Sequence, residues 1–153
     1  SSLFKPFFER FRPTHHPDFK DLVDTVNNYR GGRYGFISGH ATNSFGLAVF
    51  VSMVFKHRAV TATTLLWALL NSYTRVYLGV HFVSDIVAGM VVGSLVALLV
   101  YEAYSWTRAR IIQPSPAQAP SPYTKHGALF AITLVVYLAA ITIFSSLLAT
   151  LPH

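Results

Sequence analysis

The sequence predicts an all-α fold, a bundle of transmembrane helices preceded by an extramembrane segment. Of its 153 residues, 52% are hydrophobic and only 12% are charged, whereas soluble domains average about 25% charged residues. The mean hydropathy of +0.43 is also high for a soluble domain. Lysine and arginine are gathered in short polar segments between long apolar ones, which is typical of polytopic membrane proteins.

Three apolar stretches approach or reach the roughly 20 residues that a helix needs to cross a bilayer. They are Ala59 to about Tyr77, Phe82 to Tyr101, and Ala128 to Leu151. A fourth stretch, His40 to Phe55, is shorter, and at about 1.5 Å per residue it covers only part of a ~30 Å hydrocarbon core. These stretches predict helices at about 40–57, 59–78 and 81–107, with one more in residues 126–153.

The remaining segments divide the chain. Residues 1–37 are polar and carry Pro13, Pro17 and a Gly31-Gly32 pair, which predicts an extramembrane loop with a short helix around Phe19 to Tyr29. Residues 113–125 are rich in proline and predict an extended cytoplasmic linker. Residues 1–112 would then form a core, and residues 126–153 an additional C-terminal transmembrane helix.

Short basic segments predict the orientation. One lies after the first predicted helix and another flanks the linker, and the positive-inside rule makes both cytoplasmic. Their basic residues are Lys56, Arg58, Arg108, Arg110 and Lys125. Because successive helices alternate in direction, His40, Arg75, His81 and Asp85 are expected together at the opposite face. In a bacterial inner membrane that face is periplasmic.

Further cations lie on that outer face, where the positive-inside rule does not explain them. They are Lys5, Arg10, Arg12, Arg30, Arg33 and Arg75. An anionic substrate would explain this excess. Nucleic acid is not indicated despite the net charge of +6, because the cations form no single stripe and no nucleic-acid-binding module is recognised. With no cysteine, the chain offers neither disulfides nor thiolate metal ligands.

The most informative pattern is Arg75, five residues, His81, three residues, Asp85. Residues four apart share a helix face, so Asp85 can accept a hydrogen bond from one ring nitrogen of His81 and leave the other free to attack. Arg75 is close enough in sequence to hold an anion. This pattern predicts nucleophilic chemistry on an anionic group.

Two other blocks strengthen this prediction. Ser38-Gly39-His40 places a second imidazole behind a small, amide-rich turn at a helix start, where an anion is favoured. Lys5, six residues, Arg12-Pro13 supplies two more cations. The spacing of the three blocks resembles the signature of the type-2 phosphatidic acid phosphatase superfamily.

That signature is Lys-x6-Arg-Pro, then Pro-Ser-Gly-His, then Ser-Arg-x5-His-x3-Asp, and all three blocks occur in order over residues 5 to 85. Two positions depart from it: Ile37 stands where the family usually has proline, and Thr74 replaces serine while keeping a hydroxyl. The superfamily includes membrane lipid phosphatases, soluble acid phosphatases and vanadium haloperoxidases. The apolar composition favours the membrane branch, whose members usually have transmembrane helices before the first block, so we expect such helices upstream of residue 1.

The resemblance implies a phosphatase that requires no metal and no cofactor. His81 would form a phosphohistidine, Asp85 would orient it, and His40 would act as general acid and base. The phosphate-binding residues would be Lys5, Arg12, Ser38, Gly39 and Arg75. The substrate would be a lipid phosphate or diphosphate held among membrane lipids, for which undecaprenyl diphosphate, phosphatidylglycerophosphate, phosphatidic acid and lipid A phosphates are candidates. The sequence does not distinguish among these candidate substrates, and it does not predict an oligomeric state.

Alternatives remain for several features. A phosphotransferase would use the same His81 intermediate with a lipid or sugar acceptor, and a non-catalytic lipid-phosphate binder would not need both imidazoles. Gly89 and Gly93 have the spacing of a close helix contact, for which we favour packing within one bundle over self-association. His15 and His16 with Asp18 are read as a solvated loop rather than a metal site.

Overall fold

The computed structural model describes residues 4–111 and 123–149, and every regular element in these ranges is helical. The five α-helices are α1 (Phe4–Phe8), α2 (Gly39–Phe55), α3 (Arg58–Tyr77), α4 (Val83–Ile111) and α5 (Gly127–Ala149). The predicted all-α class is confirmed. Most of the predicted linker at 113–125 lies outside the described residues.

Two described segments have both the length and the apolar character of a membrane span. They are Val83–Ile111, with a mean hydropathy of 2.3, and Thr124–Ile143, with 2.1. Helix α2 is apolar but has only 17 residues, as its sequence predicts. Helix α3 has 20 residues and so spans about 30 Å, but it is less apolar because it carries Asn71, Arg75 and several hydroxyl side chains. The more polar α3 contributes to the site described below.

Helix α2 packs against both α3 and α4, while α5 lies against α3. Gly89 and Gly93 bring α4 close to α2. A Cβ added to Gly89 would lie 2.7 Å from the carbonyl oxygen of Ser38, and one added to Gly93 would overlap the carbonyl of Thr42. The two glycines therefore serve packing within the bundle, as favoured from their spacing, and they hold the start of α2 beside the start of α4.

We expect Gly93→Ala to lower the free energy of unfolding by about 1–3 kcal/mol, because overpacking against a backbone carbonyl outweighs the better helix propensity of alanine. Denaturant unfolding of the full-length protein in detergent measures this. Gly32→Ala is the matched control, since a Cβ there meets nothing within 4 Å. Equal stability of the two variants would contradict the close approach of α4 to α2.

The segment between α1 and α2 differs from its prediction. The helix predicted around Phe19 to Tyr29 is wrong: the chain forms a turn over residues 17–22 and a single 3-10 turn at Val26–Asn28. Thr25, just before that turn, is extended. Aspartate and asparagine side chains, frequent in this stretch, compete with the helix for backbone hydrogen bonds.

Backbone hydrogen bonds fold this segment into a hairpin-like arrangement over the helix ends. The Arg12 N–H donates to the Arg33 carbonyl (3.1 Å), and the Gly35 N–H donates to the Arg10 carbonyl (2.9 Å). These bonds flank an isolated antiparallel bridge between Phe11 and Tyr34. The extramembrane segment thereby brings its arginines against the start of α4.

Candidate active site

A cavity of about 390 Å³ lies where this segment meets the ends of α2 and α3 and the turn before α4. Six of the residues predicted from the sequence line it: Lys5, Arg12, Gly39, His40, Arg75 and His81. Residues up to 76 positions apart in the chain are thus brought together at one end of the bundle. Of the predicted site residues, Ser38 and Asp85 do not line this cavity.

His81 and Asp85 meet in a way that differs from the predicted shared helix face. Helix α4 begins at Val83, so His81 lies in the turn before the helix and Asp85 lies in its first turn. The Asp85 carboxylate turns back, so that Oδ2 accepts a hydrogen bond from the Phe82 N–H (3.0 Å) and lies 3.4 Å from Nδ1 of His81. A carboxylate in the first turn is favoured by the helix dipole and by unpaired amides. The pairing thus follows from the helix start.

The other ring nitrogen of His81 meets Arg12. Nη1 of Arg12 lies 3.3 Å from Nε2 and also donates to the carbonyl of Val80 (2.9 Å). A guanidinium only donates, so this contact fits a neutral ring whose proton is on Nδ1, facing Asp85. His81 therefore presents the lone pair of Nε2 to the cationic cavity, as a nucleophile must.

Burial lowers the pKa of His81 below its ordinary value of 6.5. The Asp85 carboxylate opposes this shift, whereas the nearby charges of Arg12 and Lys5 add to it. A lowered pKa keeps the imidazole neutral in mildly acidic solution, because protonation would require burying a further cation beside two others.

We expect the acidic limb of kcat/KM to move to higher pH in Arg12→Gln, because removing the guanidinium takes away one cause that lowers the His81 pKa. In the wild type that limb should fall below the ordinary histidine value of 6.5. The substrate titrates identically in both assays, so the difference between the two profiles reports the enzyme. A limb that stays in place would contradict this role of Arg12.

Ser38 is the N-cap of α2 and links this helix to α4. Its Oγ accepts a hydrogen bond from the Ala41 N–H (3.4 Å), and its own N–H donates to the Asp85 carbonyl (3.2 Å). The buried Ser38 hydroxyl thus caps the helix, and the first turn of α2 presents Gly39 and His40 to the cavity instead. Binding of phosphate by the Ser38 hydroxyl stays a prediction.

The structure divides the six outer-face cations into two groups. Lys5, Arg12 and Arg75 line the cavity. The rest make other contacts: Arg10 pairs with Asp85, Arg30 donates to the Thr14 carbonyl, and Arg33 stacks on Phe11 and Tyr34. Within the described residues, an anion in the cavity therefore meets three of the six.

Thr74 has a definite role at the position where the signature has serine. Its Oγ1 accepts a hydrogen bond from Nε of Arg75 (3.0 Å), which helps to fix the guanidinium beside the cavity. The departure from the signature thus keeps the interaction that a serine hydroxyl could make at the same place.

Sequence reasoning missed the uncharged part of the cavity lining. These residues are Tyr29, Asn43, Ser44, Leu47, Trp67, Asn71 and Val80. Asn71 donates to the Ser44 hydroxyl, which in turn donates to the His40 carbonyl. The sequence did contain a signal for the two asparagines. Asn43 follows His40 by three residues and Asn71 precedes Arg75 by four, and residues at these spacings lie on the same face of a helix.

In the His15–His16–Asp18 motif, Nδ1 of His16 accepts a hydrogen bond from the Asp18 N–H (3.3 Å) and lies 3.8 Å from the Asp18 carboxylate, while Nδ1 of His15 lies 3.1 Å from the Thr14 hydroxyl. Within residues 4–111 and 123–149, no group of three or more His, Cys, Asp or Glu side chains could hold a metal ion.

Comparison with known proteins adds independent information. A family model described as the PAP2 superfamily matches residues 1–109. The chain is 46% identical over 147 residues to a lipid A 4'-phosphatase of Porphyromonas gingivalis, covering 95% of this chain and 62% of that protein. It is 38% identical over 146 residues to a lipid A 4'-phosphatase of Bacteroides thetaiotaomicron, covering 95% and 65%. A phosphatidylglycerophosphatase B of Bacillus subtilis is 31% identical over 109 residues, covering 65% and 49%.

The chain therefore spans less than two thirds of the length of these curated relatives. No solved structure matches it significantly.

Proposed function

Because the chain belongs to the PAP2 superfamily, we propose that it carries the catalytic core of a membrane-embedded lipid phosphatase that acts through a phosphohistidine. The observation that carries the proposal is the cavity in which three cations and two imidazoles converge, one imidazole being paired with a buried carboxylate. This set matches the needs of phosphoryl transfer, which are positioning and stabilisation of negative charge.

The first step forms the phosphoenzyme. The substrate phosphate lies among Lys5, Arg12 and Arg75, and it takes the guanidinium contact that Nε2 of His81 has in the free protein. Nε2 attacks phosphorus, and the bond from phosphorus to the leaving oxygen breaks. His40 gives its proton to that oxygen, while Asp85 stabilises the positive charge that develops on the His81 ring.

The second step releases phosphate. His40, now neutral, takes a proton from water as the water oxygen attacks phosphorus. The phosphorus–nitrogen bond breaks, and the electron pair returns to Nε2 of His81. Inorganic phosphate leaves, with both histidines in their starting protonation states. Every proton transfer in this cycle uses His40, and the scheme has no metal-dependent step.

The substrate proposed is lipid A, the substrate named for the two relatives that align over 95% of this chain. The uncharged part of the cavity also favours a leaving group with hydroxyl or amide groups, since Asn43 and Asn71 offer hydrogen bonds beyond His40. Phosphatidylglycerophosphate is the second candidate because of the Bacillus subtilis relative.

Phosphate release by the full-length protein from a panel of lipid phosphates tests the proposal. The panel contains lipid A, phosphatidylglycerophosphate, phosphatidic acid and undecaprenyl diphosphate. We expect kcat/KM for lipid A to exceed the others by about tenfold or more, as hydrogen-bond recognition of the leaving group requires. No release from any lipid would contradict the phosphatase. Turnover that depends on an added lipid or sugar acceptor would indicate the phosphotransferase alternative.

The proposed orientation places the site at the periplasmic face of the bacterial inner membrane, in line with the basic segments that flank the helices. The chain has no cysteine, so single cysteines can report it. In intact cells, a membrane-impermeant thiol reagent should label Lys20→Cys and spare Lys56→Cys, both exposed positions. The reverse pattern would place the active site in the cytoplasm.

A further inference from the structure

Arg10 contacts the carboxylate behind His81 and does not line the phosphate cavity. Its Nη1 lies 2.8 Å from Oδ1 of Asp85, and its Nη2 donates to the Ser84 hydroxyl at 2.8 Å. Its guanidinium also lies over the Phe82 ring, 5.0 Å from the centroid. These contacts hold one planar group between the first turn of α4 and the residue before it.

The Asp85 side chain needs such a partner, because it is 0% exposed. A buried carboxylate without compensation costs several kcal/mol, and arginine keeps its charge at any physiological pH. Oδ2 of Asp85 faces the Phe82 N–H and the His81 ring. Arg10 contacts the other carboxylate oxygen, Oδ1. Arg12 also carries a positive charge near Asp85, but it lies on the His81 side of the pair.

Gly35 restricts the carboxylate from a third direction. A Cβ at Gly35 would lie 3.2 Å from Oδ2 of Asp85 and 3.5 Å from Nδ1 of His81. The Gly35 N–H donates to the Arg10 carbonyl, so the same short bridge places both the small residue and the arginine. The extramembrane segment therefore fixes where the Asp85 carboxylate can lie.

We propose that Arg10 is a positioning residue that holds the Asp85 carboxylate towards Nδ1 of His81, so that nucleophile, carboxylate and arginine act as one unit. The inference rests on the proposed phosphatase. By its charge alone Arg10 would be counted among the cations that bind the substrate, and the inference gives it a different role. Lys5, Arg12 and Arg75 bind the phosphate, and Arg10 acts through Asp85.

Because Arg10 lies outside the cavity, its loss should change kcat and KM differently from the loss of a phosphate-binding cation. Loss of a phosphate-binding cation raises KM, whereas loss of Arg10 leaves phosphate binding intact and misplaces the ring that attacks. We expect Arg10→Gln in the full-length protein to lower kcat by about 10- to 100-fold with KM within about twofold of the wild type, because small displacements of reacting groups cost this much. Arg10→Lys should restore part of kcat, since an ammonium can keep the ion pair with Oδ1 without the hydrogen bond to Ser84.

A double-mutant comparison separates positioning from a general loss of structure. If Arg10 acts through Asp85, adding Arg10→Gln to Asp85→Asn should lower kcat no more than about twofold further, because coupled residues are not additive. Lys20→Gln removes one charge from an exposed position of the same segment and should leave kcat unchanged. Thermal unfolding of each variant measures any loss of fold.

Three results would overturn the inference. They are a kcat for Arg10→Gln within about twofold of the wild type, a selective rise in KM, and multiplicative losses in the Arg10→Gln/Asp85→Asn protein. Wild-type turnover distinguishes the two proposals. If the wild type releases phosphate and Arg10→Gln is unaffected, only the role of Arg10 fails, whereas an inactive wild type counts against the phosphatase itself.

Discussion

His81→Ala should abolish phosphate release from every substrate, leaving less than about 0.1% of wild-type kcat, because the covalent step has no substitute group at that place. Its Nε2 faces the cations of the cavity, and its Nδ1 faces Asp85. Release of phosphate by the full-length protein in detergent is the measurement. His126→Ala, at an exposed histidine remote from the cavity, is the matched control and should retain full activity.

The fold should survive this change, since alanine enlarges a cavity that His81 already lines, and Asp85 keeps its contacts with Arg10 and the Phe82 N–H. Unfolding in detergent checks this point. A folded His81→Ala protein that keeps more than a few per cent of activity would show that another group attacks phosphorus, and the assignment of His81 would be withdrawn.

His40→Ala should show a loss that depends on the leaving group. Without a general acid, an alkyl or sugar oxygen leaves slowly, whereas a phenol of low pKa leaves without protonation. We expect kcat/KM, which reports the steps up to release of the leaving group, to fall by about 10²- to 10⁴-fold on the lipid phosphate and far less on an aryl phosphate. The measurement is the ratio of the two activities, compared between His40→Ala and the wild type.

His81→Ala provides the reference for this comparison, because loss of attack on phosphorus should lower the activity on both substrates alike. If His40→Ala reduced both equally, its role in protonating the leaving group would have to be given up. An equal loss of kcat/KM on both substrates would indicate that His40 acts in phosphate binding.

Much of the architecture was accessible from the sequence because a bilayer leaves few choices. Long apolar segments must be helical, and the positions of Lys56 and Arg58 predict the turn between α2 and α3. Helix spacing then places His40 and Arg75 at one end of the bundle. The spacing of Gly89 and Gly93 also predicted a close helix contact within the bundle, which the structure makes between α4 and α2.

The sequence was less informative where the backbone leaves regular structure. The helix expected around Phe19 to Tyr29 does not form, in a stretch rich in aspartate and asparagine, which disfavour helix interiors. Helical geometry also gave the wrong reason for the His81–Asp85 contact, which arises at the helix start. Periodicity says nothing about contacts that a loop makes across 75 positions, such as that of Arg10 with Asp85.

Charge counting had a similar limit. Six cations on one face suggested a single anion site, but a guanidinium serves a buried carboxylate, an aromatic ring or a carbonyl equally well. The signature singled out Arg12, but only the folded arrangement shows what Arg10 and Arg33 contact instead of the cavity. The Ser38 hydroxyl, predicted to contact phosphate, caps α2 in the structure, since a residue at a helix start also has the helix itself to cap.

The most direct test of the central claim is to trap the phosphoenzyme. The full-length protein is mixed with radiolabelled lipid phosphate, quenched in alkali during turnover, and digested for mass spectrometry. A phosphohistidine is labile to acid and survives alkali, so we predict alkali-stable phosphate on the peptide containing His81, and no such phosphate in His81→Ala. Label on any other residue, or active protein that never carries covalent phosphate in rapid-quench samples, would contradict the mechanism.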